Sequence, residues 1–241
     1  MLRQLLARMG KTGPFPEIEP ETAFSAIGDI HGRADLLERA LHLPHSHPIV
    51  CVGDYVDRGD NSADVLRMLH SRPDIICLSG NHEEMMLSFV ETPQKHGNRW
   101  LRFGGLQTLA SFGVSGVTDT SEDSAMISAR DQLVAAMGAP LLSWMQSLPT
   151  RWRSGNVAVV HAGADPVVPI EDQTTRALHW GHPDFAKTQR TDGVWVLHGH
   201  TIVDGPLAQK GRIPIDTGAY ATGRLTVAHV EISGVHFETV T

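Results

Sequence analysis

The sequence reads FSAIGDIHG at residues 24–32, IVCVGDYVDRG at 49–59 and IICLSGNHE at 75–83, and each stretch is an apolar run that ends in a polar cluster beside glycine. Runs rich in Val and Ile are typical of buried strands, and the segments between them carry apolar residues at helical spacing. Strands that alternate with helices predict βαβ units, a parallel sheet and the α/β fold class. The predicted strands are 24–28, 48–53 and 75–79, and the predicted helices are 33–43, 62–71 and 82–91.

The rest of the chain predicts a helical insertion followed by more strands. Residues 93–148 lack strand patterns and form the insertion, and the polar stretch 163–192 predicts a long loop. Apolar residues at helical spacing predict an N-terminal helix at 1–12. The insertion helices are expected at 98–112, 122–137 and 140–148, and the later strands at 150–153, 157–161, 194–198, 212–216, 224–231 and 235–240, with the Ser233-Gly234 turn joining the last two as a hairpin.

Composition limits the possible functions. The 241 residues, 41% of them hydrophobic and 20% charged, fit a single globular domain with an insertion. With a net charge of −7, the chain lacks the excess of basic residues that is typical of nucleic-acid-binding proteins. No apolar run reaches the roughly 20 residues of a membrane span, so we expect a cytoplasmic protein without a membrane partner. Cys51 and Cys77 lie in apolar runs and are expected to be buried thiols.

Polar clusters at five strand ends predict one common site. Ligands of open α/β sheets bind beyond the carboxyl ends of the strands, where the three quoted clusters, VVHAG (159–163) and VLHGHT (196–201) converge. Any one cluster alone is equally typical of an N-cap, a turn or a structural histidine. Together they offer O and N donors without Cys, which indicates a mixed N/O metal centre rather than structural zinc. The candidate ligands are Asp29, His31, Asp54, Asn81, His161 and His200.

Six protein ligands are too many for one open catalytic ion and indicate two ions that share a carboxylate. A metal pair suits phosphoryl transfer because it clamps the phosphate and generates hydroxide from water at neutral pH. The guanidinium of Arg58 is suited to hold two phosphate oxygens.

The blocks GDIHG, GDYVDRG, GNHE, HAG and HGHT, in this order and with about 25 residues between the first three, resemble the phosphoprotein phosphatases among the calcineurin-like metallophosphoesterases. The segment 213–226, together with Trp100 and Gly104-Gly105, resembles the bacterial and phage branch of that family. The resemblance covers residues 24–230. It implies a four-layer α/β/β/α sandwich and two divalent metal ions, with Mn²⁺ expected first and Fe, Zn, Ni or Co as alternatives.

The resemblance also implies roles for individual residues. Asp29 and His31 would bind the first metal and Asp54 would bridge, whereas Asn81, His161 and His200 would bind the second. His200 is preferred to His198 because it directly precedes the Thr of the last block. His198 would then be a structural residue or one that contacts a metal ligand. His82 is the implied general acid, oriented by Asp57, and Arg58 is the implied phosphate clamp. Asn81 also belongs to the expected substrate-binding set.

The chain departs from these relatives at one position. They often carry a second phosphate-binding Arg two residues after a Trp in the loop that follows the fourth block, where this chain has Trp180-Gly181-His182. His182 is therefore a candidate substrate-binding residue, and Arg176 and Arg190 are the alternatives.

The expected activity is a phosphomonoesterase acting on phosphoserine or phosphothreonine in proteins, with phosphotyrosine as a further substrate left open. The rival is a symmetrical dinucleoside tetraphosphate hydrolase. Relatives with that activity tend to lose the residues that correspond to His31 and Asp57, both of which are present here. Small phosphoesters as substrates, and a metal-binding module without turnover, stay open, as does the oligomeric state.

Overall fold

The first three predicted strands pair in parallel in the computed structural model of the protein, which describes residues 15–232 and 234–241. Ala26 lies opposite Val50 and Val50 opposite Ile76, as expected for consecutive βαβ units. Two later strands extend this sheet in antiparallel pairing, which gives the order β3-β2-β1-β8-β9. The strands are β1 Phe24–Ile27, β2 Ile49–Cys51, β3 Ile75–Cys77, β8 Leu225–Glu231 and β9 Gly234–Val240.

A second sheet with the order β4-β5-β6-β7 accounts for the other strand patterns. Its β5, β6 and β7 are parallel, so their carboxyl ends point the same way, whereas β4 is antiparallel to β5. The strands are β4 Arg151–Ser154, β5 Val157–Val160, β6 Trp195–His198 and β7 Arg212–Pro214. The α/β fold class predicted from the sequence is confirmed.

Three cores separate four layers. The first core lies between the five-stranded sheet and the helices of residues 34–146, and the second fills the space between the two sheets. The third core covers the outer face of the second sheet, with Ile170, Leu178 and Phe185 of the 163–192 segment. The fourth layer is therefore thin and made largely of loop and short helices. The helices are α1 Ala34–Leu41, α2 Ser62–His70, α3 Asn81–Glu91, α4 Pro93–Trp100, α5 Leu106–Ser111, α6 Asp123–Gln146, α7 Thr175–Trp180 and α8 Ala219–Thr222.

The structure corrects three helix predictions. The single helix predicted at 98–112 is divided among α4, a π-helical turn Leu101–Gly105 and α5, because the backbone of Gly104 has a φ of 112°. The helices predicted at 122–137 and 140–148 join in α6 with a break at Gly138. The 163–192 segment is not all loop, since Thr174 caps α7 by accepting the N–H of Ala177 at 3.2 Å.

Two predictions fall on residues outside the described part of the chain. The N-terminal helix predicted at 1–12 is one, and Ser233 of the predicted turn is the other. The hairpin itself is confirmed, since β8 and β9 pair up to Glu231 opposite Gly234. Among the described residues, no helix combines the length and apolarity that a membrane crossing requires.

The core between the sheets predicts a large cost for truncating Phe24. This fully buried ring packs edge-on against Trp152 with 4.8 Å between ring centroids. Phe24→Ala should lower the free energy of unfolding by about 3–5 kcal/mol because it leaves a cavity. Phe103→Ala, at a half-exposed phenylalanine, is the matched control and should change it by less than about 1 kcal/mol. Urea unfolding in the presence of a chelator measures both, and equal losses would contradict this account of the core.

Candidate metal centre

The carboxyl ends of five strands, three in one sheet and two in the other, bring the predicted site residues together. Asp29, Asp54 and Asn81 follow β1, β2 and β3 of one sheet. His161 and His200 follow β5 and β6 of the other sheet. The chain thus gathers the ligands at one end of the interface between the sheets, and most of them are buried.

The backbone at this end is held in an uncommon conformation. A positive φ occurs at His31 (44°), Asp54 (55°), Asp57 (72°), Arg58 (69°) and His200 (66°). Among the described residues other than glycine, only Lys210 shares it. A side chain in this region costs of order 1–3 kcal/mol, which surrounding contacts must offset. Such clustering of strain is typical of functional sites.

One group of donors surrounds the Oδ2 atom of Asp54. His31 Nε2 lies 3.5 Å from this oxygen and His82 Nε2 lies 3.9 Å from it. His31 Nδ1 donates to the carbonyl oxygen of Val56 at 2.8 Å, so the lone pair of the neutral ring is on Nε2. This is the arrangement that orients a histidine toward a metal ion. Burial lowers the pKa of His31 to about 3, which keeps the ring neutral.

A second group surrounds the other oxygen of Asp54. His161 Nε2 is 3.3 Å from Asp54 Oδ1, and Asn81 Oδ1 is 2.8 Å from both His161 Nε2 and His200 Nδ1. Oxygens face both nitrogens of His161, Val52 O at 3.2 Å from Nδ1 and Asn81 Oδ1 at 2.8 Å from Nε2, and a neutral ring can donate to only one of them. Two acceptors that face each other without a hydrogen between them fit a cation.

Asp29 supplies an independent test of this fit. Its Oδ2 accepts the backbone N–H of His200 at 2.9 Å, while its buried Oδ1 has no hydrogen-bond partner among the described residues. Burial, followed by the charges of Asp216 and Asp54, raises the pKa of Asp29. A Cβ at Gly199 would overlap Asp29 Oδ1, so the backbone must approach closely here. The residues present therefore suit a centre of two divalent metal ions around Asp54.

His82 is held by a buried carboxylate on the side away from Asp54. Its Nδ1 lies 2.6 Å from Asp57 Oδ2. Trp100 Nε1, at 3.0 Å, and Thr108 Oγ1, at 2.7 Å, also donate to the carboxylate of Asp57. Burial alone would lower the pKa of His82, but the negative charges of Asp54 and Asp57 outweigh it and raise that pKa. The arrangement presents an oriented imidazole beside Asp54.

Arg58 extends over the same group. Its Nη1 is 3.0 Å from His31 Nε2, and its guanidinium lies 4.8 Å from the centre of the Tyr220 ring. The Tyr220 ring also contacts His31 edge-on at 5.3 Å between centroids. A cation over an aromatic face is held in place by the ring, and the N–H groups of Arg58 that do not face His31 are left for an anion.

The profile of the calcineurin-like phosphoesterases matches residues 23–204, which is most of the chain and contains all five motif blocks. The chain belongs to this family. It is a hydrolase of the metallophosphoesterase class, and its two sheets are those of the family fold. A solved structure of a presumed diadenosine tetraphosphatase has the same fold, with a TM-score of 0.64 and 22% identity over 92% of this chain and 95% of that one.

Curated relatives of this phosphoesterase carry two kinds of name. Serine/threonine-protein phosphatase 2 of Escherichia coli is 45% identical over 33% of this chain and 37% of its own length. The protein of that name in Salmonella typhimurium is 27% identical over 83% and 89%. The symmetrical bis(5'-nucleosyl)-tetraphosphatase of Pseudomonas fluorescens is 30% identical over 58% and 43%. The matched segment thus spans less than half the length of the first and third relatives.

The residue expected as a second phosphate clamp pairs with a carboxylate of its own loop. His182 Nε2 is 3.6 Å from Asp165 Oδ2, and His182 Nδ1 accepts the backbone N–H of Asp184. Of the alternatives, Arg190 is buried and bonded to Asp192 and to carbonyl oxygens, whereas Arg176 is exposed on α7. A phosphate contact by His182 stays a prediction. His198 packs its ring against Phe185, whereas His200 shares a donor group with Asp54 and His161.

Three residues of the site have no role predicted from the sequence. Asp216 follows the apolar run of β7, so the expectation that ligands bind beyond the carboxyl ends of strands could have identified it. Burial raises the pKa of Asp216 to about 6. Glu83 stands in a quoted block, but only the structure reveals its hydrogen bonds. Tyr220 carries no sequence signal, because its position depends on how α8 packs beside Arg58.

Glu83 organises the turn that holds Asp54. Its Oε2 accepts the N–H groups of Asp54 at 2.8 Å and Gly80 at 2.9 Å. Its Oε1 accepts those of Tyr55 at 2.8 Å and Val56 at 3.4 Å. Burial, followed by the charge of Asp54, raises the pKa of Glu83 to about 7. One carboxylate therefore ties the second and third motif blocks together.

Replacing this carboxylate by an amide should loosen the site. In Glu83→Gln an NH₂ group faces two of these N–H donors, so we expect a loss of about 1–3 kcal/mol in the free energy of unfolding and weaker Mn²⁺ binding. Glu91→Gln, at the exposed end of the same helix, should stay within about 0.5 kcal/mol. Urea unfolding and equilibrium dialysis measure these effects. Unchanged stability and metal affinity in Glu83→Gln would show that the turn holds Asp54 without it.

Proposed function

We propose that the protein is a phosphomonoesterase that removes phosphate from phosphoserine or phosphothreonine in proteins. The observation that carries the proposal is the buried His82–Asp57 pair beside the Asp54 donor groups. An alkoxide leaving group of high pKa needs a proton as its bond to phosphorus breaks. His82, held by Asp57, can donate that proton.

Two divalent ions are proposed to occupy the donor groups that share Asp54. Mn²⁺ is the first expectation because the donors are carboxylate, amide and imidazole without thiolate. When bound, the ions would neutralise phosphate charge and lower the pKa of water for attack on phosphorus. The proposed ligands are Asp29, His31, Asp54, Asn81, His161 and His200, and Asn81 is also proposed to contact the substrate.

Arg58 is proposed to bind the phosphate group of the substrate. The Tyr220 ring restricts its guanidinium to the edge of the site, so little side-chain entropy is lost on binding. A bidentate contact to two phosphate oxygens orients the ester. His82 then protonates the leaving oxygen, while Asp57 keeps its ring in the productive orientation.

A symmetrical dinucleoside tetraphosphatase is the second candidate, because relatives of that name match over more than half of this chain. The presence of His31 and Asp57 favours the monoesterase. The cytoplasmic location expected from the sequence stays a prediction.

A side-by-side turnover assay tests the proposal. The Mn²⁺-loaded protein is given a phosphoserine peptide, a phosphotyrosine peptide, p-nitrophenyl phosphate and diadenosine tetraphosphate, and kcat/KM is compared. We expect the highest value on the phosphoserine peptide among the natural phosphates. A higher value for diadenosine tetraphosphate would replace the proposal by the second candidate, and no turnover of any ester would overturn both.

His82→Asn should lower kcat far more than it raises KM. A proton given only in the transition state does not bind the ground state, and general acid catalysis is worth about 10²–10⁴-fold. The loss should be much smaller for p-nitrophenyl phosphate, whose leaving group hardly needs a proton. Steady-state kinetics of both substrates check this, with His96→Asn, at a half-buried histidine of α4, as the control. Equal losses on the two esters would assign His82 a role other than proton donor.

A further inference from the structure

A cleft of about 490 Å³ adjoins the metal centre and follows α3. Its wall includes Ser79, which stands two residues before the proposed ligand Asn81, the first residue of α3. Another part of the wall is His179 of α7. The carbonyl oxygen of the neighbouring Leu178 accepts the N–H of the residue that follows His161, at 2.7 Å. The cleft is therefore connected to the proposed metal ligands at two points.

The α3 part of the wall presents two carboxylates and apolar side chains. Glu84, Leu87, Ser88 and Glu91 line the cleft at intervals of three and four residues, so they share one face of the helix. Val90 adds a second apolar side chain. No Lys or Arg occurs among the described residues that line the cleft. Such a wall repels an anion and suits a cation that carries an aliphatic stem.

His179 contributes a polar atom that lacks a partner. The residue is only 4% exposed, and its Nδ1 lies 2.6 Å from Glu84 Oε2. Because an ionised carboxylate only accepts, Nδ1 carries the hydrogen of the neutral ring and Nε2 is an acceptor. This Nε2 is buried and has no hydrogen-bond partner among the described residues. A ligand that brings N–H donors into the cleft would satisfy it.

Glu84 keeps one oxygen for the same ligand. Its Oε2 accepts hydrogen bonds from His179 and, at 3.2 Å, from Trp180 Nε1, whereas its Oε1 accepts none among the described residues. The hydrogen bond from His179 lowers the pKa of Glu84, so this carboxylate is ionised at neutral pH. The guanidinium of Arg99 lies 5.1 Å from the centre of the Trp180 ring and forms no ion pair with Glu84. The Oε1 atom of Glu84 therefore offers a charged acceptor to the cleft.

We propose that this cleft binds the side chain of an arginine close to the phosphorylated residue of the substrate protein. The inference rests on the proposed function and deepens it, because it gives the substrate a sequence preference. The guanidinium pairs with Glu84 and Glu91 and donates to His179 Nε2, while its aliphatic stem packs on Leu87. Arginine fits better than lysine because its planar group offers five N–H donors to separate acceptors.

Helix geometry sets the distance between that arginine and the phosphate. Glu84 and Glu91 lie about 4.5 and 15 Å beyond Asn81 along α3, at about 1.5 Å per residue. An extended peptide advances about 3.3 Å per residue. With its phosphate at the metal centre, the substrate reaches the cleft with a side chain about two to four positions from the phosphorylated residue.

A peptide series tests the inference. Phosphoserine peptides with a single Arg at successive positions on either side of the phosphoserine are compared with a peptide that has Ala at all of them, using the Mn²⁺-loaded protein. We expect Arg at the predicted distance to raise kcat/KM about tenfold, because a hydrogen bond to a charged group is worth about that factor. The gain should lie mainly in KM, since the contact already forms in the ground state.

Two variants connect the preference to the cleft. Glu84→Gln and Glu91→Gln remove the charges and keep the side-chain size. The ratio of kcat/KM between the best Arg peptide and the Ala peptide is measured, because a general effect on the metal centre cancels in this ratio. We expect the ratio to fall about threefold in Glu84→Gln and the preference to disappear in the double variant. Glu38→Gln, at an exposed glutamate of α1, is the matched control and should keep the parent ratio.

The possible failures are distinguishable. Equal kcat/KM across the peptide series, or a parent ratio that persists in the double variant, would overturn the arginine site and leave the phosphatase proposal intact. Cleavage of p-nitrophenyl phosphate without cleavage of any phosphopeptide would overturn both. If Glu84→Gln fails to fold, Glu91→Gln alone decides, because this exposed side chain is not part of the core, and an unchanged ratio there would also contradict the inference.

Discussion

Burial of several carboxylates at one edge of two sheets is the constraint on which the rest of the structure depends. Asp29, Asp54, Asp57 and Asp216 are almost inaccessible to solvent. Like charges in a low-dielectric environment repel, and this cost is offset only by cations, protons or hydrogen-bond donors. Donors from Trp100 and Thr108 offset it at Asp57. At Asp29 one oxygen has no donor among the described residues, so bound cations are needed to offset the charge of the site.

Strand pairing and the apolar layer between the sheets hold these charged side chains in fixed positions. Each donor follows a strand whose position is fixed by pairing within a sheet, and the apolar layer between the sheets holds the two sets of strand ends in register. The turn at Asp54 has a positive φ, and the four N–H groups that Glu83 accepts stabilise that turn. Stability in the core thus offsets strain at the edge, which preorganises the donors before a metal arrives.

The sequence was sufficient for the parts of this architecture that depend on local pattern. Apolar runs identified the strands. Because the carboxyl ends of parallel strands meet at one edge of a sheet, Asp29, Asp54 and Asn81 could be predicted to lie together there. It was insufficient where a backbone approaches another segment closely: Gly104 divides a predicted helix because it lies against Arg58. The contact of Tyr220 with Arg58 and the pairing of His179 with Glu84 arise from tertiary packing between distant segments, which no local pattern encodes.

The central claim is that two cations share the carboxylate of Asp54. Electron paramagnetic resonance of the protein with two equivalents of Mn²⁺ tests it most directly, since two ions about 3.5–4 Å apart interact magnetically through a bridging ligand. The account predicts an exchange-coupled spectrum for the parent and its loss in Asp54→Asn. A parent spectrum of isolated Mn²⁺ ions, or a coupled spectrum that survives in Asp54→Asn, would contradict it.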